Sequence, residues 1–88
     1  MQEIKLSGLK DLPRNDQFVI KKMIGDFLNH RKIDTYEQFD IHHKLVHNSV
    51  HELTAHLHKS GKVTTAKTEN HNVFIGVDDV LKKIAEQL

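Results

Sequence analysis

From Val50 onward the chain alternates apolar and polar residues with a period of two, turns at Ser60-Gly61, and alternates again. It then changes to a helical period that runs to Leu88. The first stretch, VHELTAHLHK, sets Leu53, Ala55 and Leu57 against Glu52, Thr54, His56 and His58, as in a strand with one buried face. Gly61 tolerates positive φ in a tight connection, and the β-branched KVTTAKTE returns as the second strand of a hairpin. Asn72 stands where an N-cap is expected. Phe74, Val77, Val80, Leu81, Ile84 and Leu88 form the apolar stripe of a closing helix, with Lys82, Lys83, Glu86 and Gln87 on the wet side. The hairpin and the helix each carry one apolar face, so they must share a core.

The first half has the same grammar. Met1 to Gly8 alternates Ile4 and Leu6 with Glu3, Lys5 and Ser7, which predicts a short strand ended by Gly8. After Pro13, Asn15 or Asp16 is the expected N-cap of a helix. Phe18, Ile20, Met23, Ile24, Phe27 and Leu28 recur at helical spacing up to about Arg31. Gly25 lowers the propensity of that helix by about 1 kcal/mol relative to Ala, unless a close approach to the sheet uses the missing side chain. Beyond Asp34, Tyr36 to Val46 puts Phe39, Ile41, His43 and Leu45 on one face of a strand and Asp40, His42, Lys44 and Val46 on the other. His47-Asn48-Ser49 is a polar break before Val50.

The predicted order is β-α-β-β-β-α, an α+β fold in a single domain spanning residues 1–88. A parallel first pair joined by a right-handed helical crossover, then an antiparallel meander, puts both helices on one face of a four-stranded mixed sheet. The opposite face is left open, with His42, Lys44, His56 and His58 on it.

Composition narrows the function. With no cysteine there is no disulfide, thiolate nucleophile or cysteine zinc site, and only His and carboxylates remain as strong metal ligands. No apolar run resembles a membrane span or a signal sequence, so a cytoplasmic location without membrane contact is expected. Thirteen Lys and Arg against twelve acids give a net charge of only +1, but eight His residues make any electrostatic function sensitive to mild acid.

With the element order in place, the phrase VHELTAHLHKSGKV and the final helix resemble the ribosome hibernation-promoting factor and ribosome-associated inhibitor (protein Y) family in its short form. Asn72, Phe74, Val77, Asp78, Lys83, Ile84, Gln87 and Leu88 fit the family's closing helix. Phe18-Val19 and Lys22 occupy similar places in the first, and Gly76 stands where a small Ala is usual. The resemblance covers nearly the whole chain, and much of it is core patterning. It implies a domain that binds the small ribosomal subunit and its rRNA backbone in the mRNA and tRNA channel, inhibiting translation or stabilising idle ribosomes in stress and stationary phase. It implies no catalysis, cofactor or DNA partner. With its end at Leu88, the chain is expected to lack the basic tail of some short members and the domain through which long members pair ribosomes.

Lys21 and Lys22 precede Arg31 and Lys32 by about three helical turns, so part of this set can line one flank of the first helix. Lys82 and Lys83 can do the same on the second, and Lys10 and Arg14 extend the edge from the preceding loop. A surface that tracks phosphates needs such repeated charges, because each contact releases counterions without reading sequence; simple solvation is the rival reading of every one. His42, His56 and His58 are secondary, pH-dependent candidates. The same three side chains could instead hold a metal ion, and His47 and His51 add an H-x₃-H spacing across a turn. A protein-interaction domain using the open sheet face is the third reading. Asp78-Asp79 and Glu52 beside His56 come with no nucleophile elbow or phosphate-cradling loop, so an enzyme is not expected. Phe18, Phe27, Phe39 and Phe74 are assigned to the core, Tyr36 is left open, and a free edge at the first or last strand permits a dimer.

Overall fold

The computed structural model describes residues 3–31, 33, 36–47 and 49–88. Met1, where the first strand was expected to begin, and Asn48 of the polar break lie outside that set. In chain order the elements are β1 (Glu3–Ser7), a 3₁₀ turn (Leu9–Asp11), α1 (Arg14–His30), β2 (Gln38–Val46), β3 (Val50–Lys59), β4 (Lys62–Asn70) and α2 (Val73–Glu86). The strands form one sheet in the order β1-β2-β3-β4. β1 is parallel to β2, and the other pairs are antiparallel. This is the mixed α+β architecture that the periodicity predicts.

Register decides which side chains meet. Phe39 faces Leu57, Ile41 faces Ala55, and Ala55 faces Ala66. All of them point to the helical side, where Ile20 and Ile24 of α1 and Val77, Val80 and Ile84 of α2 are also fully buried. Burying one such side chain contributes about 1.5–3 kcal/mol, so this shared layer outweighs local propensity as the source of stability. Phe27 meets Phe39 edge to face, with ring centres 6.5 Å apart, which seats α1 over β2. α2 packs on β3 and β4.

The ends of the elements have local causes. Lys59 pairs with Lys62 across a two-residue connection in which Ser60 and Gly61 both have positive φ, the twist that a tight hairpin requires. Asn72 caps α2 as expected, its side chain accepting from the backbone N–H groups of Phe74 and Ile75. α1 differs: it starts at Arg14, and its N-cap is Pro13, with no side-chain cap from Asn15 or Asp16. Proline brings a preset φ to a position where free donors are anyway in excess.

Three core assignments are corrected. Phe18 is 60% exposed and Leu88 56% exposed, and Leu45 is exposed at the end of β2. The buried stripe of α1 runs through Ile20, Ile24 and Leu28, and Phe18, two residues before Ile20, is turned away from it. Leu88 lies past the end of α2, and Leu45 is the next-to-last residue of β2. Tyr36 is buried. No helix among the described residues is long and apolar enough to cross a membrane.

Candidate nucleic-acid interface

The basic residues do not form one stripe. Lys22 is exposed, two residues beyond buried Ile20 and on the far side of α1 from the sheet. Lys21 is carried to the flank near β1, where its Nζ lies 5.8 Å from the centre of the Phe18 ring. Arg14, Gln17, Phe18 and Lys21 line one shallow depression there. Arg31 belongs to the opposite side. As the C-cap of α1 it meets Lys82 at a groove of about 330 Å³ between the two helices, floored by Met23, Phe27 and Leu81. Asp26, His30 and Asp78 also line that groove, so its rim mixes both signs of charge. Lys10 is exposed on the 3₁₀ turn, and Lys32 lies outside the described residues.

The two lysines of α2 are engaged locally. Lys82 pairs with Asp78 at 2.9 Å and Lys83 with Asp79 at 3.5 Å, each an acid four residues ahead of its lysine, the favoured orientation on a helix. Asp78 holds the Lys82 ammonium above its ordinary pKa, chiefly through their hydrogen bond. Lys83 also donates to the carbonyl oxygen of Lys67 at 3.2 Å, and the Gln87 amide donates to that of Thr65 at 2.9 Å. Both carbonyls are on β4, an edge strand, so α2 covers part of an edge that would otherwise be free to pair. Among the described residues Lys10, Arg14, Lys22 and Arg31 make no ion pair. They are better placed than Lys82 and Lys83 to meet an outside anion.

On the open face, the three expected histidines each turn to a neighbour. His42 Nδ1 is 2.8 Å from the Ser7 hydroxyl, His56 Nδ1 is 3.1 Å from that of Thr65, and His58 Nε2 is 3.5 Å from the Asp40 carboxylate. They do not converge on one point, and no cluster of three His, Asp or Glu side chains able to hold a metal ion occurs among the described residues. Glu52 pairs with Lys67 at 3.7 Å rather than with His56.

One arrangement escaped the reading of candidate residues. His43, 1% exposed on the helical side of β2, has Nδ1 2.7 Å from the Gly8 carbonyl oxygen and Nε2 2.8 Å from Nδ1 of His51. Strand parity already put His43 on the apolar face, and the same parity carried back from Leu53 puts His51 there too. The missing information was the hairpin register, which makes the two diagonal neighbours.

The fold and these surfaces define a class: a small four-stranded mixed sheet with two helices on one face and exposed basic groups on and around the helices. Two solved structures share the fold over most of their length. A ribosomal subunit interface protein from Coxiella burnetii superposes with a TM-score of 0.77 at 18% identity, covering 100% of this chain and 93% of its own. The Thermus thermophilus Protein Y N-terminal domain superposes with a TM-score of 0.68 at 10% identity, covering 98% of this chain and 90% of its own. Both match the hibernation-factor family that the sequence resembles, and at these identities the likeness establishes the fold. No family model and no curated protein matches the chain.

Proposed function

We propose that this protein is a ribosome-binding domain that docks on the small subunit through rRNA phosphates and, by occupying the mRNA and tRNA channel, inhibits translation or stabilises idle ribosomes in the cytoplasm. The observation that carries the reading is the full-length likeness in fold to a ribosomal subunit interface protein. The residue pattern of α2 and of the VHELTAHLHKSGKV phrase led to the same family independently. The distribution of free cations supports it further: Lys22 on the outer side of α1, Arg31 at its C-terminus, and Lys10 and Arg14 before and at its start are exposed. Phosphate contact through such groups needs no deep pocket and no base-specific geometry.

The test is co-sedimentation of the purified protein with small subunits over a salt series. Pelleting at low salt that falls steeply as salt rises is expected, since each phosphate contact adds to the counterion slope. Charge reversal of Lys22 and Arg31 together abolishes pelleting while leaving the domain folded. A protein that stays at the top of a low-salt gradient overturns the proposal.

A further inference from the structure

The buried histidine pair has a proton arithmetic that its geometry dictates. The Gly8 carbonyl can only accept, so the His43 nitrogen 2.7 Å from it, Nδ1, carries a hydrogen. Nε2 of neutral His43 is then bare and accepts from His51 Nδ1–H across 2.8 Å. A first extra proton can go to the outer nitrogen of His51, leaving one hydrogen between the facing nitrogens. A second must enter that gap, where two N–H groups would point at each other.

The Gly8 turn lies tightly against β2. Gly8 has φ 74°, and a Cβ there would lie 1.8 Å from the His43 carbonyl oxygen, so the two backbones are already in close contact. The rings are 5.0 Å apart at a 34° tilt, and among the described residues His43 Nε2 has no second polar partner. We propose that the His43–His51 contact is a proton-operated latch, which holds the Gly8 turn and the end of β1 onto the sheet and opens when a second proton enters the gap.

The surroundings favour opening in acid. Burial, then His43, then His71 in the turn between β4 and α2 push the His51 pKa below its ordinary 6.5. Among the described residues no carboxylate is one of the groups acting on it. On β2 and β3, His42, Lys44 and Glu52 point to the opposite face of the sheet. Lys10 and Asp11 of the 3₁₀ turn are exposed, and α2 turns Val73, Gly76 and Val77 inward. β4 contributes uncharged Asn70 opposite His51, and Lys5 of β1 shares the face of Asp40. Among the described residues, therefore, no facing carboxylate offsets a doubly charged pair. Release of the Gly8 turn would also loosen Lys10 and the start of α1 at Arg14. That consequence rests on the proposed function, whereas the latch does not, and its test uses the free protein alone.

The experiment is a pH series from about 7.5 to about 4.5 on the ¹⁵N-labelled full chain, reading imidazole nitrogen shifts and amide exchange. At the upper end His43 is expected as the Nδ1–H tautomer. On acidification the amides of β1 and Gly8 lose protection roughly tenfold or more beyond the intrinsic effect of pH, while those of β3 and α2 keep theirs. In His51→Gln the side-chain amide can donate to a bare Nε2 or, flipped, accept from a protonated one, so the loss disappears. An Nε2–H tautomer at neutral pH, a loss shared equally by β3 and α2, or the same local loss in His51→Gln overturns the latch. The first two readouts come from the natural chain, so they decide whether or not the variant folds.

Discussion

The Thr68 hydroxyl on β4 donates to the Asp79 carboxylate on α2 across 2.5 Å, and this bond joins the edge strand to the helix that covers it. It holds the Asp79 carboxyl below its ordinary 3.8, with Lys83 adding to the effect. A carboxylate with a depressed folded pKa stabilises fully above its unfolded value, and the contribution is lost as pH falls through the folded one. Thr68→Val is expected to cost about 1 kcal/mol near neutrality. It should also make the loss of stability below pH 3.8 shallower, read from urea midpoints over an acid series.

The glycines separate by environment. A Cβ at Gly25 would meet nothing within 4 Å, so no close approach to the sheet offsets the propensity penalty, and it stands. Gly25→Ala should raise stability by about 0.5–1 kcal/mol. Gly8→Ala should lower it by at least about 2 kcal/mol, because the new Cβ meets a backbone oxygen at a left-handed φ. Denaturant midpoints of the two variants should move in opposite directions.

Gly76 lies between these cases. A Cβ there would lie 2.6 Å from Leu53 Cδ1, a side-chain end that can turn but is fully buried. Overpacking of about 1–3 kcal/mol competes with a propensity gain of about 1, so Gly76→Ala should be neutral to mildly destabilising in the same assay. Adding Leu53→Val should recover stability relative to Leu53→Val alone.

The ion pair on the outer side of α2 restrains a candidate cation. Asp78→Asn frees Lys82 at the groove it shares with Arg31. Under the proposed function, the slope of log affinity against log salt for small subunits should steepen by roughly 0.7–0.9, one added phosphate contact. An unchanged slope would remove Lys82 from the interface.

The covering of β4 makes a separate prediction. Lys83→Met together with Gln87→Leu removes both donors to the Lys67 and Thr65 carbonyls. Concentration-dependent association should increase in light scattering, since uncovered strand edges are templates for pairing. If Lys83 served only as a phosphate contact and Gln87 only as a solvated side chain, association would not change.

Element order, both strand alternations of the hairpin, the Asn72 cap and the Ser60-Gly61 turn were legible in the residues, because period and turn chemistry are local properties. Phe18 was misassigned for the same reason: one apolar residue near a helix start fits the periodic stripe about as well as its margin. Only the direction of packing through Ile20, Ile24 and Leu28 decides against it. The cations illustrate the limit more sharply. Their spacing is consistent with a continuous edge, but the chain places Lys21 beside Phe18, brings Arg31 to Lys82, and ties Lys83 to β4.

By itself, then, the sequence determined the architecture and the family it resembles, since alternation, helical period and capping residues act over a few positions. The tertiary structure decided which charges remain free, which glycine is needed, and that two histidines eight residues apart share one hydrogen bond. Those outcomes depend on strand register and helix placement, and these arise from burial summed over the whole core rather than from any local stretch of chain.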